Sequence, residues 1–138
     1  MEETIILLDT NSYSAFISGS KTVSKIVHKA STVLMSSIVL GELYAGFIRG
    51  NKSVENINIL QNFLREKEVS YVGVTFQTAQ IYGGLVAALA KKGRPIPTND
   101  IWIAASCIEN KARLISSDSH FKEIVNIKGT GLNWKTFN

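Results

Sequence analysis

Only three aspartates occur in this 138-residue chain, Asp9, Asp100 and Asp118, and each falls at the edge of an apolar run. Asp9 directly follows Ile5, Ile6, Leu7 and Leu8, and Asp118 lies just beyond Leu114 and Ile115. Asp100 opens the stretch that contains Ile101, Ala104, Ala105 and Ile108. A fourth acid, Glu42, sits among Leu40, Leu43 and Tyr44, an awkward place for a charge without a partner. Buried carboxylates are paired or bind a metal. Four of them, without a cysteine cluster and with only two histidines, suit hard cations such as Mg²⁺ and Mn²⁺, which prefer oxygen ligands. Each acid also has a plain reading. An Asp after a strand commonly closes a turn or caps a helix, Asp100 is favoured by the helix dipole, and Glu42 can reach solvent. The metal reading rests on the conjunction.

Charge and composition bound the partners. The 15 basic and 11 acidic residues give a net charge of +4, which taken alone is ordinary solubility charge. With the four acids set aside, 15 bases face seven acids, a basic surface around an acidic hole. That arrangement suits a polyanion held over metal ions. The single cysteine, Cys107, excludes an internal disulfide and a cysteine-based zinc cluster. The apolar runs fall far short of the ~20 residues that span a bilayer, and no basic segment precedes the first of them, which argues against a signal peptide. A cytoplasmic protein with no membrane association is expected.

Chemistry at these positions needs elements that bring them together. Residues 4–8, 32–35, 69–74, 112–115 and 124–127 read as short buried strands. Helices are expected at 10–17, 21–29, 37–49, 54–68, 76–92 and 98–110, with a short one near 119–121. Ser36 or Ser37 caps the third helix and Thr98 or Asn99 the sixth. The Gly83–Gly84 pair, at a propensity cost of ~1 kcal/mol per glycine, marks close helix packing. Alternation of strands and helices implies a parallel sheet covered on both faces. The expected fold class is α/β, a three-layer α/β/α sandwich with a central, mostly parallel sheet of about four to five strands, in one domain over residues 1–138. Sites in such sheets form at the carboxyl ends of strands, where Asp9 and Asp118 stand.

Four segments also resemble a known family. They are Leu7-Leu8-Asp9-Thr10-Asn11, Ser36-Ser37-Ile38-Val39-Leu40-Gly41-Glu42-Leu43, Pro95-Ile96-Pro97-Thr98-Asn99-Asp100-Ile101-Trp102-Ile103-Ala104-Ala105 and Leu114-Ile115-Ser116-Ser117-Asp118-Ser119-His120-Phe121. In order and spacing they resemble the four motifs of PIN-domain ribonucleases, in particular the VapC toxins of toxin–antitoxin pairs. Gly131-Leu132 followed by Trp134 is similar to that group as well. The resemblance covers nearly the whole chain and implies a PIN-like fold. It implies a metal-dependent endoribonuclease that cleaves structured or messenger RNA, the toxin of a type II pair neutralised by a cognate protein antitoxin, and a homodimer. Asp9, Glu42, Asp100 and Asp118 would take the places of the family's catalytic acids. Asp9 and Asp100 would be the principal ligands of Mg²⁺ or Mn²⁺, with Glu42 and Asp118 completing the site directly or through water. Asn11 and Ser116 match positions that hydrogen-bond the acids or a water of the metal. A phosphodiester is anionic and repels a nucleophile, and a divalent cation offsets that charge, acidifies water and stabilises the leaving oxygen.

Two other functions suit a small parallel α/β domain. A phosphate-signalling receiver needs paired acids at the first strand and a lysine after the last. Here Asp9 has Leu8 and Thr10 as neighbours, and no lysine stands in the right place after Ile115. A catalytically inactive PIN-like binding module is disfavoured by the intact quartet. A P-loop is excluded by the lack of G-x-x-x-x-G-K-[ST]. His120 reads as a residue of the short helix rather than a general base. Arg49, on the same helical face as Glu42, either reaches phosphate or pairs with an acid. Lys91, Lys92 and Arg94 read as a solvated charge run or as contacts to an RNA backbone. Tyr13, Phe16, Ile17, Leu43, Phe47 and Ile48 exceed what one core face requires, so some should be exposed at a partner site.

Overall fold

A computed structural model describes residues 3–137. Its strands are β1 (Ile5–Leu8), β2 (Thr32–Ser36), β3 (Val69–Val72), β4 (Arg113–Ile115) and β5 (Asn133–Lys135). Its helices are α1 (Thr10–Ile17), α2 (Lys21–Lys29), α3 (Ser37–Arg49), α4 (Ser53–Leu64), α5 (Phe76–Lys92), α6 (Thr98–Glu109) and α7 (Phe121–Val125). The strands form one parallel sheet in the order β3-β2-β1-β4-β5. Central β1 is apolar without alternation because both its faces are covered; Ile6, Leu7 and Leu8 are all buried.

The order of the strands places the site. From β1 the chain steps outward to β2 and β3, then returns past β1 to β4 and β5. Right-handed crossovers therefore put α1–α4 on one face and α5–α7 on the other, and the helix contacts follow that division except where α3 meets α6. The reversal falls between β1 and β4, which pair as Leu7↔Leu114 and Leu8↔Ile115. A crevice opens at such a reversal, outside the carboxyl ends of the strands. Receiver domains place their strands in the order 2-1-3-4-5, which this sheet does not follow.

Hydroxyl side chains cap α2, α3 and α5. Ser20, Ser36 and Thr75 accept from the backbone N–H of Val23, Val39 and Thr78. Asp9 does the same for α1. α6 departs from expectation: Pro97 is its N-cap and supplies no side-chain bond, which leaves Thr98 and Asn99 inside the first turn. Glu109 at the C-terminal end of α6 accepts hydrogen bonds from Thr75 and Thr78 at the start of α5. The carboxylate thereby pins two antiparallel helices together and meets the positive end of the α5 dipole.

Three local expectations are corrected. Residues 124–127 do not form a strand. Phe121 and Ile124 are buried one helical turn apart while Val125 is exposed, which is the pattern of α7. The chain then turns at Gly129 and Gly131, both at positive φ, and β5 pairs with β4 as Leu114↔Trp134. The Gly83–Gly84 pair does not pack closely within the chain, since a Cβ at either position would meet nothing within 4 Å. α4 ends at Leu64 and β3 at Val72, each short of the range expected from apolarity alone.

The α5–α6 clamp makes a stability prediction. Hydrogen bonds to a charged group contribute about 1.5–3 kcal/mol when buried, and Glu109 is half-buried. Replacement Glu109→Ala should lower unfolding free energy by about 1–2 kcal/mol, read from urea denaturation as a lower midpoint at unchanged slope. An unchanged midpoint would show that the clamp contributes nothing.

Candidate active site

Asp9 is where the site begins. It ends β1 and caps α1, and only 5% of its surface is exposed. Its Oδ1 accepts from the backbone N–H of Ser12 at 2.9 Å, and its Oδ2 accepts from the Ser116 hydroxyl beyond β4. The same Ser116 oxygen accepts from the backbone N–H of Asp118 at 3.0 Å. One buried hydroxyl thus links the acids at the ends of two neighbouring strands. Ser116 is itself held from β5: its N–H donates to the Lys135 carbonyl at 3.2 Å, and Trp134 Nε1 donates to its carbonyl at 3.0 Å.

Glu42 finds partners that the sequence did not reveal. Its Oε1 accepts from Thr10 Oγ1 at 2.6 Å, and its Oε2 accepts from Asn99 Nδ2 at 3.2 Å. The carboxylate therefore bridges the first turns of α1 and α6. The pairing explains how an acid is tolerated among apolar neighbours in α3.

Asp100 and Asp118 meet at His120. Its Nδ1 lies 2.9 Å from Asp100 Oδ2 and 3.0 Å from Asp118 Oδ1, and its backbone N–H donates to Asp118 Oδ1 at 2.9 Å. One ligand atom from each of the three lies within 4.8 Å of the other two. The proximity of His120 to Asp100 is not legible in the sequence, because only the folded chain brings the start of α7 beside the first turn of α6.

The electrostatics are those of a site short of positive charge. Burial pushes the Asp9 carboxyl above its ordinary range, and the charge of Asp118 adds to this against the hydrogen bonds of Ser116 and Ser12. Burial likewise raises Asp100, opposed by its hydrogen bond to His120 and reinforced by the charges of Asp118 and Glu42. The hydrogen bond to Asp100 holds the His120 imidazole above its usual value. The charge of Asp118 thus reaches both Asp9 and Asp100, and that of Glu42 reaches Asp100. Among the described residues, no lysine or arginine pairs with any of them. This oxygen-rich donor set fits a hard divalent cation.

Other expected residues lie elsewhere. Asn11 is exposed, and the hydroxyls that reach acids from its turn and from the end of β4 are those of Thr10 and Ser116. Arg49 is exposed and its Nε donates to the Ala45 carbonyl at 3.3 Å. Lys92 and Arg94 approach Glu123 at 3.8 and 4.0 Å, one turn of α7 from His120. Lys91 is exposed. The sequence assigns no site role to Thr10, Ser12 or Asn99, although Thr10 adjoins Asp9 and Asn99 adjoins Asp100.

The sheet is parallel and of this order, and Asp100, Asp118 and His120 meet at its reversal; Asp9 and Glu42 lie outside that group and are tied to its edges, Asp9 to Asp118 through Ser116 and Glu42 to the first turn of α6 through Asn99. The chain belongs to the PIN domain family, whose sequence model matches residues 6–126, and within it to the VapC group. Ribonuclease VapC2 of Rickettsia felis is 33% identical over 104 residues, covering 75% of this chain and 76% of the relative. The solved VapBC2 of Rickettsia felis bound to a DNA fragment from its promoter has a TM-score of 0.82 at 27% identity, covering 98% of this chain and 100% of that one. VapBC-1 of nontypeable Haemophilus influenzae also reaches 0.82, at 26% identity over 96% of this chain and 98% of that one.

Two outcomes are expected from this geometry. Mn²⁺ at ten times its dissociation constant should stabilise the fold by ~1.4 kcal/mol, raising Tm by about 5 °C, and Asp100→Asn should abolish most of that increment. Ser116→Ala should weaken metal binding by about 10–100-fold, the usual effect of removing a group that orients ligands. Calorimetric titration checks both, and wild-type affinity in either variant would contradict the assignment.

Proposed function

We propose that the chain is a metal-dependent endoribonuclease and the toxin of a type II toxin–antitoxin pair, inhibited by a protein antitoxin. The observation that supports this reading is the meeting of Asp100, Asp118 and His120 within 4.8 Å, with Asp9 tied to Asp118 through Ser116, Glu42 tied to the first turn of α6 through Asn99, and no lysine or arginine paired to these acids among the described residues. The names of the relatives, ribonuclease VapC, and the VapBC complexes of the solved neighbours support it. The sheet order disfavours a receiver, and the intact quartet disfavours an inactive module.

The residues divide the work. Asp9, Asp100, Asp118 and Glu42 would hold Mg²⁺ or Mn²⁺, which supplies charge neutralisation for the scissile phosphate, a more acidic water and stabilisation of the leaving oxygen. Ser116 spaces Asp9 from Asp118, and Thr10 and Asn99 orient Glu42. Burial of Asp9 keeps bulk water from screening its charge. The surplus of basic residues over the rest of the chain draws in an anionic polymer. RNA, rather than a small phosphate ester, is the substrate this charge distribution favours.

Two surfaces support partners. A cavity of about 500 Å³ lies between α1, α2 and α4 at the opposite end of the sheet from the acids, lined by Phe16, Val27, His28 and Phe63 among others. With nearby Ile17 exposed, it is where an antitoxin helix would seat apolar anchors. Tyr13 and Leu43 lie in the core instead, whereas Ile17 and Ile48 are exposed as expected. Phe76, Val86 and the Gly83–Gly84 pair are exposed along α5, an apolar face suited to a second copy of the chain.

Induction in a bacterial host should arrest growth, and Asp9→Asn or Asp100→Asn should relieve the arrest. Purified wild-type protein with Mn²⁺ should cleave RNA at defined 5′ ends, with activity reduced at least ~100-fold in either variant at unchanged circular dichroism. Folded variants that cleave as well as wild type would exclude this site as the source of activity.

A further inference from the structure

We infer that His120 is a nitrogen ligand of the divalent cation and shifts the site's preference from Mg²⁺ toward Mn²⁺. The inference rests on the metal-dependent reading above and adds a residue and a selectivity to it. Adjacent ligands of an octahedral ion with bonds of about 2.1 Å lie about 3.0 Å apart. His120 Nδ1 stands 2.9 Å from Asp100 Oδ2 and 3.0 Å from Asp118 Oδ1. These separations suit neighbouring corners of a coordination shell as well as hydrogen bonds, and one ligand atom from each of the three residues lies within 4.8 Å of the other two, close enough to share an ion.

The ring is also held at its base. The His120 backbone donates to Asp118 Oδ1 at 2.9 Å, and the next residue, Phe121, is fully buried. The side chain itself is 48% exposed, so it borders the open side of the crevice where an ion enters. Mg²⁺ is served by carboxylates, carbonyls and water, whereas imidazole suits the transition metals. A histidine beside two aspartates therefore favours Mn²⁺ over Mg²⁺ more than four carboxylates alone would. The competing role is a cation that merely balances the two aspartates. The two roles differ in sign: removing a ligand weakens metal binding, and removing a competing cation leaves it unchanged or strengthens it.

The test is Mn²⁺ binding to the whole chain followed by electron paramagnetic resonance, with Mg²⁺ as competitor, in wild type, His120→Ala and His120→Gln. The wild type should show electron-spin-echo modulation from a directly bound imidazole nitrogen and should bind Mn²⁺ at least ten times more tightly than Mg²⁺. Both variants should lose the nitrogen signal and about tenfold in Mn²⁺ affinity, with Mg²⁺ affinity changed less than threefold. Mn²⁺ bound to the wild type without nitrogen modulation would overturn the inference while leaving the metal-dependent reading standing, as would unchanged or tighter Mn²⁺ binding in the variants. A wild type that binds no Mn²⁺ would overturn both. The wild-type nitrogen signal decides the matter by itself if a variant does not fold.

Discussion

The buried carboxylate of Asp9 constrains everything around it. Ionised and nearly out of water, it carries a desolvation penalty of several kcal/mol. Its two hydrogen bonds, from the Ser12 backbone and the Ser116 hydroxyl, offset about 1.5–3 kcal/mol each. They leave the carboxyl above its usual range all the same, since burial and the charge of Asp118 outweigh them. The remaining deficit is met by a proton or by a cation. Ser116 contributes because β4 lies beside β1, and β5 holds the Ser116 backbone from the other side. The strand order, the reversal between β1 and β4 and the charge of the site are therefore one arrangement.

The same constraint distributes the other acids. Asp100 enters from the first turn of α6, Asp118 from the loop after β4 and Glu42 from α3. Each arrives with neutral partners or, for Asp100 and Asp118, with a single imidazole. Lysines and arginines lie farther out: Lys92 and Arg94 are occupied with Glu123. An arginine brought by another chain would find carboxylates ready for charge-assisted bonds, which gives inhibition by an antitoxin a physical basis in the same shortage of positive charge.

Much of this was legible in the residues. The β1 run and Leu114–Ile115 of β4 are apolar without alternation, as strand residues buried on both faces must be, and Asp9 directly follows the first while Asp118 stands three residues beyond the second. Helix starts at Ser36 and Thr10 were readable because small hydroxyl or acidic residues precede apolar periodicity. The errors have local causes. Ile124, Val125 and Ile127 are β-branched and look like a strand, yet Phe121 and Ile124 are spaced for one turn of helix, and burial decided between the two. β5 carries one partly buried residue between two exposed ones and has almost no apolar signature. The polar partners of Glu42 and the meeting of His120 with Asp100 depend on contacts 20–57 residues apart in the chain, which no spacing rule encodes.

The central claim is that these carboxylates form one cation site at the β1–β4 reversal. Anomalous diffraction at the manganese edge from crystals of the full chain soaked in Mn²⁺ tests it most directly. The account predicts an anomalous peak in the crevice within bonding distance of Asp100 and Asp118, lost in crystals of Asp100→Asn. A fully ordered crevice with no peak, or a peak only at surface carboxylates away from Asp9 and Asp118, would contradict it.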